Sequence, residues 1–214
     1  FGMPFFVGGI ISELGLSQSQ ANLVSSAEIA GMALSSMLGF FWIQRYEWKT
    51  IAYFGIKVII LGNFISSIGF SEEPSFFLLV MVRFLTGLFG HGVCFSLGVA
   101  AIGRTNNPDK NFAYSVAAQV IMGSLTALLV PMAMSKYGIS GMTIPAIFLA
   151  LIGLFFVKYL FVNNPSETND GQRQERSQII FLPLIGLLIM VVWQMGVGPF
   201  FNNLVPYGIS NGIS

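Results

Sequence analysis

The chain has 214 residues, of which 54% are hydrophobic and only 9% are charged. A soluble domain carries about 25% charged residues, so the ten basic and nine acidic side chains cannot cover a water-facing surface. The net charge of +1 excludes a nucleic-acid-binding surface, which needs clustered basic residues. A single cysteine, Cys94, and a single histidine, His91, exclude an internal disulfide and the multi-ligand zinc motifs. We therefore predict an integral membrane protein with the lipid bilayer as its partner and with no cofactor, metal or nucleic acid.

Polar breaks divide the chain into apolar segments of about the 20 residues that cross a bilayer. An incomplete span and five full ones are predicted at residues 1–11, 21–43, 51–70, 75–103, 111–134 and 139–162. Residues 163–178 contain five charges and are predicted to form a linker, and residues 179–214 contain a seventh span. The predicted fold is all-α: a transmembrane bundle of six helices, followed by the first helix of a second bundle.

Basic residues are concentrated in alternate loops, which predicts the orientation of the bundle. The loops after the first, third and fifth spans contain one basic residue, Lys136. The basic residues at the ends of the second, fourth and sixth spans are Arg45, Lys49, Arg104, Lys110, Lys158, Arg173 and Arg176. Loops rich in Lys and Arg stay in the cytoplasm. The residue 163–178 linker is therefore predicted to be cytoplasmic.

A short internal repeat supports a second bundle. The tripeptide Pro-Phe-Phe occurs at residues 4–6 and again at 199–201, and a Gly-apolar-Ser tripeptide follows each copy, at residues 15–17 and 208–210. The two copies stand about one six-helix unit apart, which is typical of transporters that arose by duplication.

Two motifs carry a family resemblance. The loop after the second span contains Gly39, Arg45 and Lys49, and the fourth span contains Arg83-x-x-x-Gly87 followed by further small residues. Both resemble motifs of the major facilitator superfamily, whose cytoplasmic loop reads roughly Gly-x-Leu-Ala-Asp-Arg-x-Gly-Arg-Arg. Gln44 stands at the acidic position of that loop. The resemblance implies a first six-helix half, with a C-terminal half of the same chain as its partner, in a bacterial inner membrane.

Ionisable residues inside a span are costly, so each needs an explanation. Glu28 and Arg83 lie at similar depths in the second and fourth spans, and an ion pair between them is predicted. Such a pair either bridges two helices or opens when a proton or an anionic substrate binds. Lys57 lies near the cytoplasmic end of the third span, where its long side chain can reach the headgroups.

His91 lies two helical turns beyond Arg83, on the same predicted helix face as Gly87. The glycine is expected to leave open space there, and histidine titrates near neutral pH, so a proton pathway along this face is one hypothesis. The alternative is a histidine that only hydrogen-bonds to a neighbouring helix. Gln119 in the fifth span is expected either to line the cavity or to bond another helix, and Asn63 in the third span is a weaker candidate.

Small residues spaced four apart predict close packing between membrane helices. The ladder in the second span is expected to face the C-terminal half, and further small residues are expected to pack around the fourth span; the packing residues are Ala27, Gly31, Ser35, Gly87 and Gly90.

The function predicted from these features is secondary active transport of a small solute by alternating access, with protons as a possible coupling ion. The alternative is a membrane sensor or scaffold with the same fold that does not transport. A membrane-embedded enzyme is less well supported, because no carboxylate is expected at the depth of His91 and no triad or zinc spacing occurs. The predicted class is therefore a permease and not an enzyme.

Overall fold

The structure, a computed structural model, describes residues 3–68, 75–160 and 207–208. Every regular element among residues 3–160 of this part is a helix, which confirms the all-α prediction. The bounds are α1 Met3–Leu14, α2 Gln18–Trp42, α3 Trp48–Ile68, α4 Phe76–Thr86, a π-helical segment Gly87–His91, α5 Gly92–Gly103, α6 Pro108–Tyr137, α7 Ser140–Phe156 and a 3₁₀ turn Val157–Tyr159.

The predicted linker at 163–178 lies outside the described residues. So does the seventh span, 179–214, apart from residues 207 and 208. The division into one bundle, a linker and the start of a second bundle therefore stays a prediction.

Four of the described helical segments are long and apolar enough to cross a membrane: Trp48–Ser67, Phe76–Gly103, Pro108–Tyr137 and Ser140–Tyr159. The 25-residue α2 is long enough but carries more polar side chains, and α1 contributes a shorter apolar helix. Three helices, α2, α3 and α6, each begin three residues earlier than predicted, at Gln18, Trp48 and Pro108. Proline is favoured in the first turn of a helix because it has no N–H to leave unsatisfied, and Pro108 occupies that place.

A tight turn joins α1 to α2. Gly15 has a φ of 64°, a left-handed conformation that glycine adopts without steric cost. Ser17 then caps α2: its Oγ accepts a hydrogen bond from the backbone N–H of Gln20 at 3.3 Å, and the Gln20 side chain accepts one from the backbone N–H of Ser17 at 2.9 Å. This reciprocal capping fixes where α2 begins and so sets the depth of Glu28 along it.

The helix that was predicted as one span at 75–103 is continuous from Phe76 to Gly103 but contains the π-segment Gly87–His91 near its middle. Segments of this kind widen one turn of a helix and occur frequently at functional sites. We refer to the whole of Phe76–Gly103 as the fourth span.

The second and fourth spans are in direct backbone contact. A Cβ atom at Gly31 would collide with the carbonyl oxygen of Phe84, one at Gly87 with the carbonyl oxygen of Glu28, and one at Gly92 with the Cβ of Ser35. The small-residue ladder of α2 therefore has its partner within this chain, and the expectation that it faces a C-terminal half is wrong. Such contact is possible only where side chains are absent or small.

Polar and apolar residues are distributed in the reverse of the pattern in a soluble protein. Large apolar side chains cover the outside, for example Met37, Phe77 and Leu128. Buried polar side chains include Ser25, Glu28, Asn63, Arg83, Thr86 and Thr143. An apolar outside and a partly polar inside are expected of a bundle surrounded by lipid, because only the interior can satisfy polar groups.

Two apolar clusters close the bundle at its ends. One contains Phe6, Ile10, Val24 and Leu79, and the other contains Trp48, Ala52, Val93, Leu97 and Val157. Along the fourth span Leu79 belongs to the first cluster and Val93 to the second. The residues between them, including Arg83 and His91, therefore lie in the middle of the span.

The loops after α2 and α5 meet at the same end of the bundle. The indole N–H of Trp48 donates to the carbonyl oxygen of Ile43 at 2.8 Å, and the guanidinium of Arg104 lies 4.6 Å from the Trp48 ring. Gly39 packs at this end, where an added Cβ would lie 3.6 Å from Oγ of Ser96. Arg45 is exposed. The alternation of loops agrees with the predicted topology, and the cytoplasmic side remains a prediction from the basic residues.

Candidate functional site

Five side chains from four helical spans meet in the interior of the bundle, and one of them, Phe6, also belongs to the first apolar cluster. They are Phe6 of α1, Glu28 of α2, Asn63 of α3, Arg83 of α4 and His91 at the end of the π-segment. We call this set the mid-span cluster. Its two charged members, Glu28 and Arg83, are buried, so their partners must come from within the cluster.

Arg83 and Glu28 form the ion pair that their depths predicted. Nε of Arg83 donates to Oε2 of Glu28 at 2.7 Å, and Nη2 lies 2.7 Å from the same oxygen. The guanidinium thus contacts one carboxylate oxygen with two nitrogens. The more common arrangement for this pair is a fork in which each of two nitrogens binds a different oxygen.

Asn63 holds the other side of the guanidinium. Its Oδ1 accepts a hydrogen bond from Nη1 of Arg83 at 3.2 Å, and its own Nδ2 donates to the carbonyl oxygen of Ile59 at 2.9 Å. The amide is 3% exposed and fixed at both ends. Asn63 therefore belongs to the site, although its place in the third span made it a weaker candidate.

Arg83 is inaccessible. Its guanidinium carbon lies 4.3 Å from the centre of the Phe6 ring, and the residue is 2% exposed. With Glu28 and Asn63 at its edge and an aromatic face against its plane, no side of the guanidinium is left open for a ligand. In this arrangement the guanidinium is closed to a ligand, and opening of the pair on binding of a proton or an anion stays a prediction.

His91 contacts the second oxygen of the same carboxylate. Its Nδ1 lies 2.8 Å from Oε1 of Glu28, and apart from this contact the buried Oε1 has no hydrogen-bond donor among the described residues. The expectation that no carboxylate lies at the depth of His91 is wrong. Glu28 and Arg83 are fully buried, whereas the His91 side chain is 31% exposed and forms the open edge of the cluster.

The π-segment explains why a residue eight positions beyond Arg83 reaches the same carboxylate. A wider turn advances each residue by a smaller angle than an α-helix does, so Arg83 and His91 come closer to the same face than regular α-helix would bring them. The expectation that Gly87 leaves open space between them is wrong, whereas its prediction as a packing residue agrees with the structure. Its hydrogen atoms face the Glu28 backbone, so this glycine brings the carboxylate-bearing helix within reach.

The cluster has two protonation states that differ by one charge. With neutral His91, the charges of Glu28 and Arg83 cancel, and the histidine can donate one hydrogen bond to Oε1 from Nδ1. With protonated His91, one carboxylate lies between two cations and the cluster carries +1. Protonation of His91 would thus change the net charge of a cluster whose carboxylate and guanidinium are both buried.

The other candidates lie away from the mid-span cluster. Gln119 is exposed on α6, and its Nε2 lies within hydrogen-bond distance of Ser115 Oγ on the same helix, at 3.4 Å. Lys57 is exposed on α3. At Gly90, an added Cβ would lie 2.8 Å from the side chain of Ile59 on α3. Gly90 is thus a packing position, as predicted, and roles for Gln119, Gly39, Arg45 and Lys49 in transport stay predictions.

A second feature is a cavity of about 230 Å³ at the opposite end from Trp48, where α1, α3, α6 and α7 meet. Glu13, Ser67, Tyr137 and Ser140 contribute to its walls, and the hydroxyl oxygens of Ser67 and Ser140 are 2.9 Å apart. None of the mid-span residues lines it. Within the described residues, no group of three or more His, Cys, Asp and Glu side chains is placed to hold a metal ion.

Comparison with known proteins gives one family and one relative. The sequence model of the Major Facilitator Superfamily matches residues 1–214. The multidrug resistance protein MdtL of Vibrio parahaemolyticus is 30% identical over 101 residues, which make up 47% of this chain and 24% of that protein. The match therefore spans about a quarter of the relative's length. No solved structure matches the chain.

Proposed function

The chain belongs to the Major Facilitator Superfamily, and on that premise we propose that it forms part of a secondary active transporter coupled to protons. It moves a small solute across a bacterial inner membrane by alternating access. The mid-span cluster is the coupling site, in which Glu28 and His91 share the transported proton. Arg83 and Asn63 hold the carboxylate in place.

One observation carries this proposal: the Glu28 carboxylate is completely buried, and its two oxygens face different partners. Oε2 is committed to Arg83, which remains charged at any accessible pH. Among the described residues, Oε1 faces only His91, and histidine is the side chain whose unperturbed charge changes between pH 5 and 8. A structural bridge between the helices would need the contact of Oε2 with Arg83 but not the contact of Oε1 with His91.

The packing around the cluster supports a mechanical role. Because α2 and the fourth span touch backbone to backbone at Gly31, Gly87 and Gly92, they are expected to move as one body during alternating access. Protonation of His91 then changes the charge at the edge of this rigid body without separating α2 from the fourth span. Rigid units that rock around a site near the membrane midplane are the common design of secondary transporters.

The test is uptake by the full-length protein in proteoliposomes, with a panel of labelled organic acids, amines, sugars and drug-like cations, with and without a pH gradient. Glu28→Gln is expected to remove the dependence of accumulation on the pH gradient, because the amide cannot take a proton. Lys57→Gln is the matched control, since it also removes a charge from a span but lies on the exposed face of α3. Gradient-driven accumulation that survives in Glu28→Gln contradicts the proposal.

A further inference from the structure

We infer that the solute bound at the mid-span cluster is a small organic anion, which binds against His91 together with one proton. This inference rests on the proposed function and names the substrate class of the same site. It follows from which member of the cluster is open to a ligand and from the charge that this member can carry.

Burial decides which group a ligand meets. Glu28 is 0% exposed and Arg83 is 2% exposed, so neither the carboxylate nor the guanidinium can be reached directly. His91, at 31%, is the open edge. Imidazole is either neutral or cationic and never negative, so the surface that the cluster presents can attract an anion but offers no charge to a cation.

A cation would have to displace His91 to reach Oε1. That route removes the histidine from its 2.8 Å contact and puts a second cation beside Arg83, which is already paired with the same carboxylate. The ligand would be desolvated in the middle of the span at the same time. An anion needs no such displacement, because 31% of the His91 side chain is exposed while its Nδ1 keeps the contact with Glu28.

The net charge of the cluster stays at zero after protonation of His91 only if the ligand is an anion. The resting cluster is neutral, since Glu28 offsets Arg83 and His91 carries no charge. Protonation of His91 leaves one uncompensated positive charge in the middle of the span, which is costly to bury. An anion that binds with the proton restores neutrality, so each ligand favours binding of the other.

Among the described residues, no side chain other than Glu28 on the helices packed around His91 offers a negative charge that could balance a protonated His91. The second span contributes Glu28, and the fourth span contributes Arg83 and, one turn beyond His91, Cys94. A Cβ at Gly55 of α3 would meet the Cys94 sulfur at 3.0 Å, so the thiol side faces α3. On α3 the titratable side chains at this level are Tyr53 and Lys57, and both are exposed on the outside of the bundle.

The experiment measures the protonation of His91 directly. The full-length protein is labelled with ¹⁵N-histidine, incorporated in lipid nanodiscs and observed by NMR at pH 6.5, and the His91 signals are assigned by their loss in His91→Gln. The probes are benzoate, acetate and inorganic phosphate as anions, benzamide as a neutral analogue of benzoate, and benzyltrimethylammonium as a cation.

At least one anion is expected to raise the ratio of cationic to neutral His91 two-fold or more, in a saturable manner. Benzamide and benzyltrimethylammonium are expected to leave the ratio unchanged. The inference is overturned if none of the three anions changes the ratio, or if benzyltrimethylammonium lowers it. These outcomes differ from failure of the proposed function, which is seen in the uptake assay as pH-dependent accumulation that survives Glu28→Gln.

Discussion

Two nitrogens of Arg83, Nε and Nη2, each lie 2.7 Å from one oxygen of Glu28, Oε2, and the other oxygen is left to His91. A free guanidinium and carboxylate would tend to form a fork with both oxygens engaged. The arrangement depends on Asn63, which holds Nη1 from the side of α3. The cluster is therefore an ordered set of contacts, in which Asn63 positions Arg83, Arg83 fixes Oε2, and Oε1 remains available to His91.

Asn63 is predicted to be a positioning residue for the Glu28–His91 contact. In Asn63→Leu, Nη1 of Arg83 loses its acceptor, and the guanidinium is expected to turn toward both oxygens of Glu28, which weakens the contact between Oε1 and His91. The ¹⁵N spectrum of His91 should then report a changed tautomer or charge state at fixed pH. Ser66→Ala is the control, because Ser66 is also buried on α3 but donates to Gly62 of its own helix at 2.8 Å. An unchanged His91 spectrum in Asn63→Leu contradicts the positioning role.

The ion pair is predicted to show strong coupling in its effect on stability. Removing one partner of a buried pair costs about 3–5 kcal/mol, because it leaves an uncompensated charge. Arg83→Leu is therefore expected to lower the free energy of unfolding by up to that amount, since His91 still contacts Glu28, and the double variant Arg83→Leu with Glu28→Gln by clearly less. Thermal or denaturant unfolding in detergent, analysed as a double-mutant cycle, measures the coupling. Additive losses in the double variant would contradict it.

The depths of charged residues in the sequence predicted the Glu28–Arg83 pair, and apolar run lengths predicted the helices. These features can be predicted because the bilayer imposes a length on each span and a cost on each buried charge. The same reasoning placed Glu28 and His91 at different depths. It assumed a regular α-helix through Gly87–His91, whereas the π-segment turns His91 toward the face of Arg83, where its Nδ1 lies 2.8 Å from Oε1 of Glu28.

Asn63 was ranked as a weaker candidate, and the partner of the α2 ladder was predicted wrongly, for a different reason. Which helix faces which is a property of the packed bundle, and spacing along one helix gives only the face that packs. A signal for Asn63 was present, since an amide in the middle of a span must find a partner and Arg83 has more donors than one carboxylate accepts. Gly87 was predicted both to pack and to leave open space, because a glycine is compatible with each, and the structure shows that it packs against Glu28.

Glycine substitutions are predicted to separate contact positions from free ones. Gly31→Ala and Gly87→Ala place a Cβ against the backbone of the facing helix, which cannot move aside as a side chain can, and both should destabilise the protein by more than 1 kcal/mol. Gly98→Ala, in the same fourth span, has nothing within 4 Å of the added Cβ and should be neutral or slightly stabilising. Melting temperatures in one detergent compare the three. Equal melting temperatures for Gly31→Ala and Gly98→Ala would contradict the backbone contact.

The central claim is that the proton shared by Glu28 and His91 couples transport to the pH gradient. The most direct measurement compares two activities of His91→Gln in proteoliposomes, using the solute that the uptake panel identifies: accumulation driven by a pH gradient, and exchange of labelled for unlabelled solute at equal pH. Glutamine retains a hydrogen bond to Oε1 but cannot titrate. We predict that gradient-driven accumulation falls at least ten-fold while exchange persists. If His91→Gln accumulates the solute with an unchanged pH profile, His91 is a packing residue and the mid-span cluster is not the coupling site.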